Sequence, residues 1–516
     1  MLKKLRKPLK VVAIVSGLAL AALGVVVAYN AATLRSRQHH GRAMPSAPID
    51  RDAAVDRLAR AVRFRTDSSS LVAGGDAQAA RDDYAREMNG LRDFLKASYP
   101  GAFSGLEPRD ADRFSLLLTW RGGDPGLAPA LFTGHMDVVP AALADGWHQE
   151  PFAGLDDGQY LWGRGTLDDK LAVLGILEAA EGLLKEGYRP RRTLYFGFGH
   201  DEEVKGDGAR AIAALLKAEL GGAKLDSVID EGTAVVDGVV AGFQRPVAPI
   251  GLVEKGYLDV ILSVKKQPGG HSSIPPPSTA IGILARAIER LEARPMAERI
   301  DPLTRDTLET LGAELPFKYR LAFGNLWLTS WPVRRALAGK PETNAAIRTT
   351  AAATIIRGGA KDNVLPETAR AVVNYRILPG DSIEKVLQHV VQVVDDPDRI
   401  EVAKDPIQAF EPSRLSTASS DAYARLQESI HALYPDAVVF PFVATAATDA
   451  RNYEGICEHV YRFLPVRLKA PDLNRIHGVD ERIGKAEYEQ VIAFYRDLIQ
   501  RSGGGEPAGG PGGAGR

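Results

Sequence analysis

The chain of 516 residues holds one cysteine, Cys457. A single thiol excludes an intrachain disulfide framework, Cys-rich zinc modules and cysteine-held iron–sulfur clusters, since each needs at least two. Any metal must be held by imidazoles and carboxylates. Charge of one sign is lacking too: 64 Lys+Arg stand against 65 Asp+Glu, a formal net charge of -1. That balance removes the basic excess of a nucleic-acid binder and the acidic excess of a disordered polyanion, so no nucleic-acid partner is expected. Nowhere does Gly-x-Ser-x-Gly occur, and with only Cys457 besides, a nucleophile-based hydrolase finds no support. What remains is an ordinary globular composition, 45% hydrophobic and 25% charged. At about 150 residues per domain the length allows roughly three domains, or two if one is large.

One long uncharged run is present, residues 11–29. Its 19 residues, at about 1.5 Å each, reach about 28 Å as a helix, enough to cross a bilayer once. Lys3, Lys4, Arg6, Lys7 and Lys10 precede it, against Arg35 and Arg37 after it, an asymmetry that keeps residues 1–10 cytoplasmic and exports the rest. The expected product is a membrane-anchored protein whose body is periplasmic, extracellular or lumenal. Small residues at Ala28, Ala31 and Ala32 leave a cleaved signal, and hence secretion, open. A buried core helix is the third reading. Residues 30–50 then read as a linker, and 503–516, with eight glycines and no apolar cluster, as a disordered tail.

Between these ends the patterns alternate: helices near 51–64 and 81–98, strands at 116–120 and 130–134, a helix over 170–186, a strand at 193–197. Such alternation predicts an α/β fold, a mixed and largely parallel sheet flanked by helices. Near residue 256 the pattern changes to strands at 257–264 and 369–377 beside helices at 280–294 and 382–394. An inserted α+β domain over 256–405 is expected, splitting a catalytic domain into 51–255 and 406–502, which ends on a helix over 485–501. No internal repeat is visible.

Five segments carry chemistry. GHMDVVP (134–140) puts His135 and Asp137 on one face of an extended strand end, where a carboxylate can orient an imidazole. GRGTLDDK (163–170) sets Asp168 and Asp169 before an apolar helix, a pattern that serves equally as a helix cap. GHDEE (199–203) follows an apolar strand, IDEG (229–232) places acids on another, and IHGVDE (476–481) adds a second imidazole beyond the insert. Together they supply the ligand types of a two-metal hydrolytic site.

In this order the five motifs resemble the co-catalytic di-zinc metallopeptidase family of aminoacylase, carboxypeptidase S, carnosinase and bacterial glutamate carboxypeptidase, closest to its carboxypeptidase S-like and N-acyl-amino-acid hydrolase branch. The likeness spans roughly residues 50–500. It implies that His135, Asp168 and Asp230 hold one zinc and Asp168, Glu203 and His477 the other, with Asp168 bridging. Asp230 is favoured over Glu231, both acid types being used by relatives. Two dications, three ligand carboxylates and one hydroxide would leave the site near neutral, and mixed imidazole and carboxylate ligands suit Zn2+, with Mn2+ or Co2+ as substitutes. Glu202 is implied as general base, Asp137 as the group orienting His135, and the Asp168–Asp169 peptide as cis. In the insert, a lid and dimerisation domain in relatives, GGHSS (269–273) makes His271 an oxyanion donor, and Asn363 and Arg376 resemble residues that grip a substrate carboxylate. Asp480 stands where relatives often carry Asn. The family implies hydrolysis of an amide bond beside a free carboxylate, in a small peptide or an N-acyl amino acid. Apolar residues scattered through 317–331 suit an acyl chain or plain packing. A homodimer through the lid is left open. The rival class is a non-catalytic binding or scaffold protein keeping the fold, whose mark would be loss of a ligand or of Glu202; neither is lost.

Overall fold

A computed structural model describes residues 2–41, 49–72, 78–239 and 243–505. Part of the expected linker, 42–48, and most of the expected tail, 506–516, lie outside the described residues, as do the side chains of the basic segment. Gly503 still closes the C-terminal helix Lys485–Gly503. The chain forms two compact units. One comprises Gln38–Glu254, Ser413–Val439 and Ala446–Arg516; the other comprises Met1–Arg37, Lys255–Pro412 and Phe440–Thr445.

The first unit is built on a mixed sheet. Those of its eight strands that lie wholly within this unit are β1 (Glu107–Asp110), β2 (Leu116–Trp120), β3 (Ala130–His135), β4 (Leu194–Gly199), β5 (Ser227–Asp237), β6 (Val247–Glu254) and, after four strands of the other unit, β11 (Val460–Lys469). They run in the order β1-β2-β4-β3-β5-β11-β6. The centre, β4-β3-β5-β11, is parallel, and the pairings that involve β1, β2 and β6 are antiparallel. β2, β3 and β4 are buried along their whole length, which is why they read as continuous apolar runs and not as alternation.

Helices cover both faces of this sheet. Preceded in the chain by α1 (Leu2–Thr33) of the other unit, α2 (Lys170–Lys185) and α3 (Asp207–Leu220) do the covering. Leu131, Tyr195 and Val228 pack with Ile212 and Leu216 of α3, while Gly134, on the opposite face of β3, lies against Ala172 and Val173 of α2. A side chain at 134 would collide with the Asp169 carboxylate, 2.7 Å from where its Cβ would stand. The parallel centre brings the ends of β3 and β4 and the Asp230–Glu231 step of β5 to one edge, where open α/β sheets place their ligands.

The second unit holds β7 (Gly256–Val264), β8 (Thr350–Arg357), β9 (Arg370–Ile377) and β10 (Ile400–Phe410), antiparallel in the order β8-β9-β7-β10. β7 alternates strictly between buried and half-buried positions. Its buried residues Leu258, Val260 and Leu262 pack under helices α4 (Ala280–Ala293) and, later in the chain, Ile383–Val394. Between α4 and β8 lie α5 (Pro302–Glu314), α6 (Phe317–Phe323) and α7 (Leu326–Ala338), sharing a small core of Leu308, Leu326 and Val333. The apolar residues of 317–331 thus belong to helices. β10 carries this unit's sheet to Phe410, past residue 405, and α1 is part of the same unit.

Candidate metal centre

His135 is the last residue of β3 and is almost wholly buried. Its Nδ1 lies 3.0 Å from the Asp137 carbonyl oxygen and 3.3 Å from Asp137 Oδ1. Nδ1 faces acceptors and so carries a proton; with a cation bound in the site, Nε2 would present its lone pair to that cation. Asp137 is pinned in turn, accepting the backbone N–H groups of Glu202 and Glu203 at 3.1 Å each. Burial opposes its ionisation, yet His135 and these donors hold its carboxyl below the usual range.

Asp168 ends the loop before α2, and its peptide bond to Asp169 is cis. Oδ1 lies 2.9 Å from His135 Nε2, and Oδ2 lies 2.9 Å from His477 Nε2. One carboxylate therefore faces two imidazoles, an oxygen to each. His477 Nε2 is also 3.2 Å from Glu203 Oε2, and His135 Nε2 is 3.3 Å from Glu231 Oε1. Two metal-sized ligand groups result, His135–Asp168–Glu231 and Asp168–Glu203–His477, and Glu202 joins His135 and Glu203 in a third.

The structure puts Glu231, not Asp230, beside His135. Successive residues of β5 point to opposite faces. Asp230 shares the face of Val228, which packs with Ala450 and Tyr453, and its carboxylate is engaged by the Thr448 hydroxyl with Arg462 nearby. Glu231 projects the other way, toward Asp168. The sequence could not separate the two because Val228 and Ile229 are both apolar, so neither parity marks the site face.

The cluster is acid-rich for a buried place. Burial, with Asp168 alongside, pushes Glu231 up to about 8. Burial and the neighbouring Glu231 and Glu203 carboxylates hold Glu202 well above its ordinary value. Among the described residues no hydrogen-bond donor reaches the buried Glu203 Oε1. Carboxylates so crowded and so poorly supplied with donors are costly unless cations sit among them. The donor set of two imidazoles and three carboxylates fits divalent cations of borderline softness.

Sequence reasoning missed the residues that hold this geometry. Glu481, fully buried, accepts the N–H groups of Gly165 (3.0 Å), Leu167 (2.6 Å) and Asp168 (3.2 Å), and Arg164 Nη1 at 2.5 Å. Arg164 Nη2 also donates to the Gly478 carbonyl at 3.0 Å. This clamp ties the loop of Asp168 to the loop of His477. His477 and Asp480 both adopt positive φ, 58° and 56°, a region rarely used by residues other than glycine. Asp480 accepts the backbone N–H and ring Nδ1 of His148 at 2.9 and 2.6 Å; an Asn there would put an NH2 donor in place of one of these two acceptor oxygens. Asp169 Oδ2 accepts the His135 N–H at 3.3 Å, and Lys170 Nζ donates to the Ala61 and Phe64 carbonyls. The acidic and basic letters of IHGVDE and GRGTLDDK were the available signal.

The other expected residues lie in the second unit. His271 pairs with Val364 in a two-residue ladder, Ser272 N–H donates to the Asn363 carbonyl at 3.1 Å, and the ring Nδ1 of His271 lies 2.8 Å from Ser273 Oγ. His271 and Asn363 are thus neighbours, both exposed. Arg376 stands on β9 with its guanidinium 4.8 Å from the Tyr257 ring centre.

Comparison with known proteins places the chain in a family. The profile of "Peptidase family M20/M25/M40" matches residues 131–501. A probable carboxypeptidase S-like 2 of Dictyostelium discoideum is 39% identical over 451 residues, covering 87% of this chain and 85% of that protein. An N-fatty-acyl-amino acid synthase/hydrolase of Homo sapiens is 39% identical over 403 residues, covering 77% and 79%. Among solved structures, an M20 family metallo-carboxypeptidase from Sulfolobus solfataricus superposes with a TM-score of 0.62 at 18% identity, over 87% of this chain and 99% of that one. Human carnosine dipeptidase 1 gives 0.60 at 16%, over 88% and 97%. At such identities the superpositions speak for the fold.

Proposed function

Because the chain belongs to peptidase family M20/M25/M40, we propose that it is a membrane-anchored, two-metal hydrolase of amide bonds next to a free carboxylate, in short peptides or N-acyl amino acids. The observation that carries this is Asp168 offering one oxygen at 2.9 Å to each of two imidazoles. His135 and Glu231 would hold one cation, His477 and Glu203 the other, and Asp168 both; zinc suits these donors. Bound there, the cations would supply Lewis acidity and water of lowered pKa. Asp137 fixes the tautomer of His135. Glu202, raised in pKa by burial, takes a proton from the attacking water on its carboxylate and returns it to the leaving amine. The oxyanion role of His271 and the carboxylate grip of Asn363 and Arg376 follow from their motifs.

Relatives support the substrate class: one is named a carboxypeptidase S-like protein, another an N-fatty-acyl-amino acid synthase/hydrolase. The helix Val12–Thr33 is long and apolar enough to cross a membrane and none of its most apolar stretch is buried, which supports the anchor and an exported body over a core helix. Along the edge strand β8 every residue after Thr350 is exposed, Ile355 and Ile356 included. An unprotected apolar edge invites a strand from a second copy, and this supports a homodimer, measurable by sedimentation in detergent.

The test is hydrolysis of a panel of dipeptides, N-acetyl and long-chain N-acyl amino acids, before and after chelation, with zinc added back. Loss on chelation and recovery with zinc is expected. Rates that survive complete removal of metal overturn the reading.

A further inference from the structure

We propose that α6 and α7 form a membrane-docking face, resting on the outer headgroup layer of the bilayer in which α1 is anchored. The inference rests on the anchored reading of α1 and goes beyond it, because it concerns a second, peripheral contact made by other helices.

Specific polar contacts set the level of these helices. Asn30 Nδ2 donates to Asn325 Oδ1 at 2.9 Å, and Asn325 Nδ2 donates back to the Val27 carbonyl of α1 at 3.0 Å. Arg320 of α6 donates to the Ala31 and Leu34 carbonyls at 3.1 and 2.5 Å. Asn325 is completely buried. The start of α7 is therefore fixed to the last two turns of α1. A span of about 20 residues fills the hydrocarbon layer. Counted back from Asn30 it begins just after Lys10, the last charge before the apolar run. The Val27–Asn30 turn, and the start of α7 with it, lies at the outer boundary of the hydrocarbon.

What α7 presents there suits that boundary. Leu326 and Val333 point into the small core, whereas Trp327, Leu328 and Trp331 occupy another face and are 57%, 47% and 66% exposed. Trp120 and Trp147 are buried and Trp162 is half-buried, so the two most exposed indoles of the chain are one helical turn apart beside the membrane helix. Phe317 of α6 adds a further exposed ring. From Pro316 to Lys340 the chain has five basic residues, Lys318, Arg320, Arg334, Arg335 and Lys340, and no acidic one. Indole rings prefer the headgroup level, and a cationic segment without acids prefers anionic lipid. The unit bearing His271, Asn363 and Arg376 is thereby held at a surface where amphiphilic substrates concentrate.

The test uses the full chain in nanodiscs containing phosphatidylglycerol, with acyl chains either plain or brominated. Brominated lipid should quench part of the tryptophan emission, and the quenched part should vanish in the double variant W327F/W331F, which keeps an aromatic ring at each position. With W327S/W331S, hydrolysis of a long-chain N-acyl amino acid presented in the disc should fall several-fold while hydrolysis of a soluble N-acetyl amino acid holds. Protein that is retained in the discs yet shows no quenching overturns the docking face and leaves the anchor standing. Protein not retained, with a shortened amino terminus by mass, overturns both. Emission shielded from brominated lipid in a cross-linkable dimer assigns the face to a second copy and also overturns the proposal. Absence of amide hydrolysis on the soluble substrate counts against the enzymatic reading alone.

Discussion

Replacing Glu481 by glutamine removes one negative charge from the clamp under the metal centre with almost no change of shape. Oε1 of Glu481 accepts three backbone N–H groups and Oε2 accepts the Arg164 guanidinium. A carboxamide has one acceptor oxygen. If it serves the backbone donors, its NH2 meets the Arg164 N–H, donor against donor; turned over, it confronts three N–H groups. Breaking a buried pair by removing one partner costs about 3–5 kcal/mol. Arg164 retains the Gly478 carbonyl and lies 5.2 Å from the Trp147 ring centre, which puts the expected loss near the lower end, about 3 kcal/mol. The same change loosens the loops of Asp168 and His477, and groups that orient ligands are worth about 10–100-fold in metal affinity. The assay is urea unfolding of the chelated full chain in detergent, paired with zinc titration against a competing chelator. Stability within about 0.5 kcal/mol of wild type, with unchanged zinc affinity, would refute the clamp argument.

Further outcomes follow from the same geometry. Glu202→Gln should lower kcat by about 10²–10⁴-fold with metal content unchanged; a loss of bound metal instead would make Glu202 a ligand. Glu231→Gln should reduce bound metal toward one equivalent, whereas Asp230→Asn should keep both, measured by atomic emission; the reverse pattern would restore Asp230 as ligand. Burial pushes the Cys457 thiol up to about 12, so at pH 8 about one molecule in 10⁴ carries a thiolate. A disulfide reagent should leave the folded chain unlabelled at pH 8 and react once urea unfolds it, and prompt labelling of the native protein would contradict the burial.

The sequence alone determined the chemistry available: one thiol, balanced charge, one apolar run after five basic residues, and five motifs whose order names a family. It also marked strands β2, β3, β4, β7 and β9 and helices α2 and α4, because continuous apolar runs and the 3.6-residue period are local properties of the chain. His135, Asp168, Glu203 and His477 were readable for the same reason, each sitting in a distinctive short motif. Only the tertiary structure showed that Glu231 and not Asp230 lies beside His135, since strand parity is illegible where both preceding residues are apolar. It alone joined Glu481 to the backbone of Asp168, 313 residues away, because a buried carboxylate's partners are chosen by the fold and leave no spacing to read. It alone turned residues 317–338 into helices with two indoles facing outward beside α1, a placement set by packing of Leu326 and Val333 that scattered apolar letters do not specify.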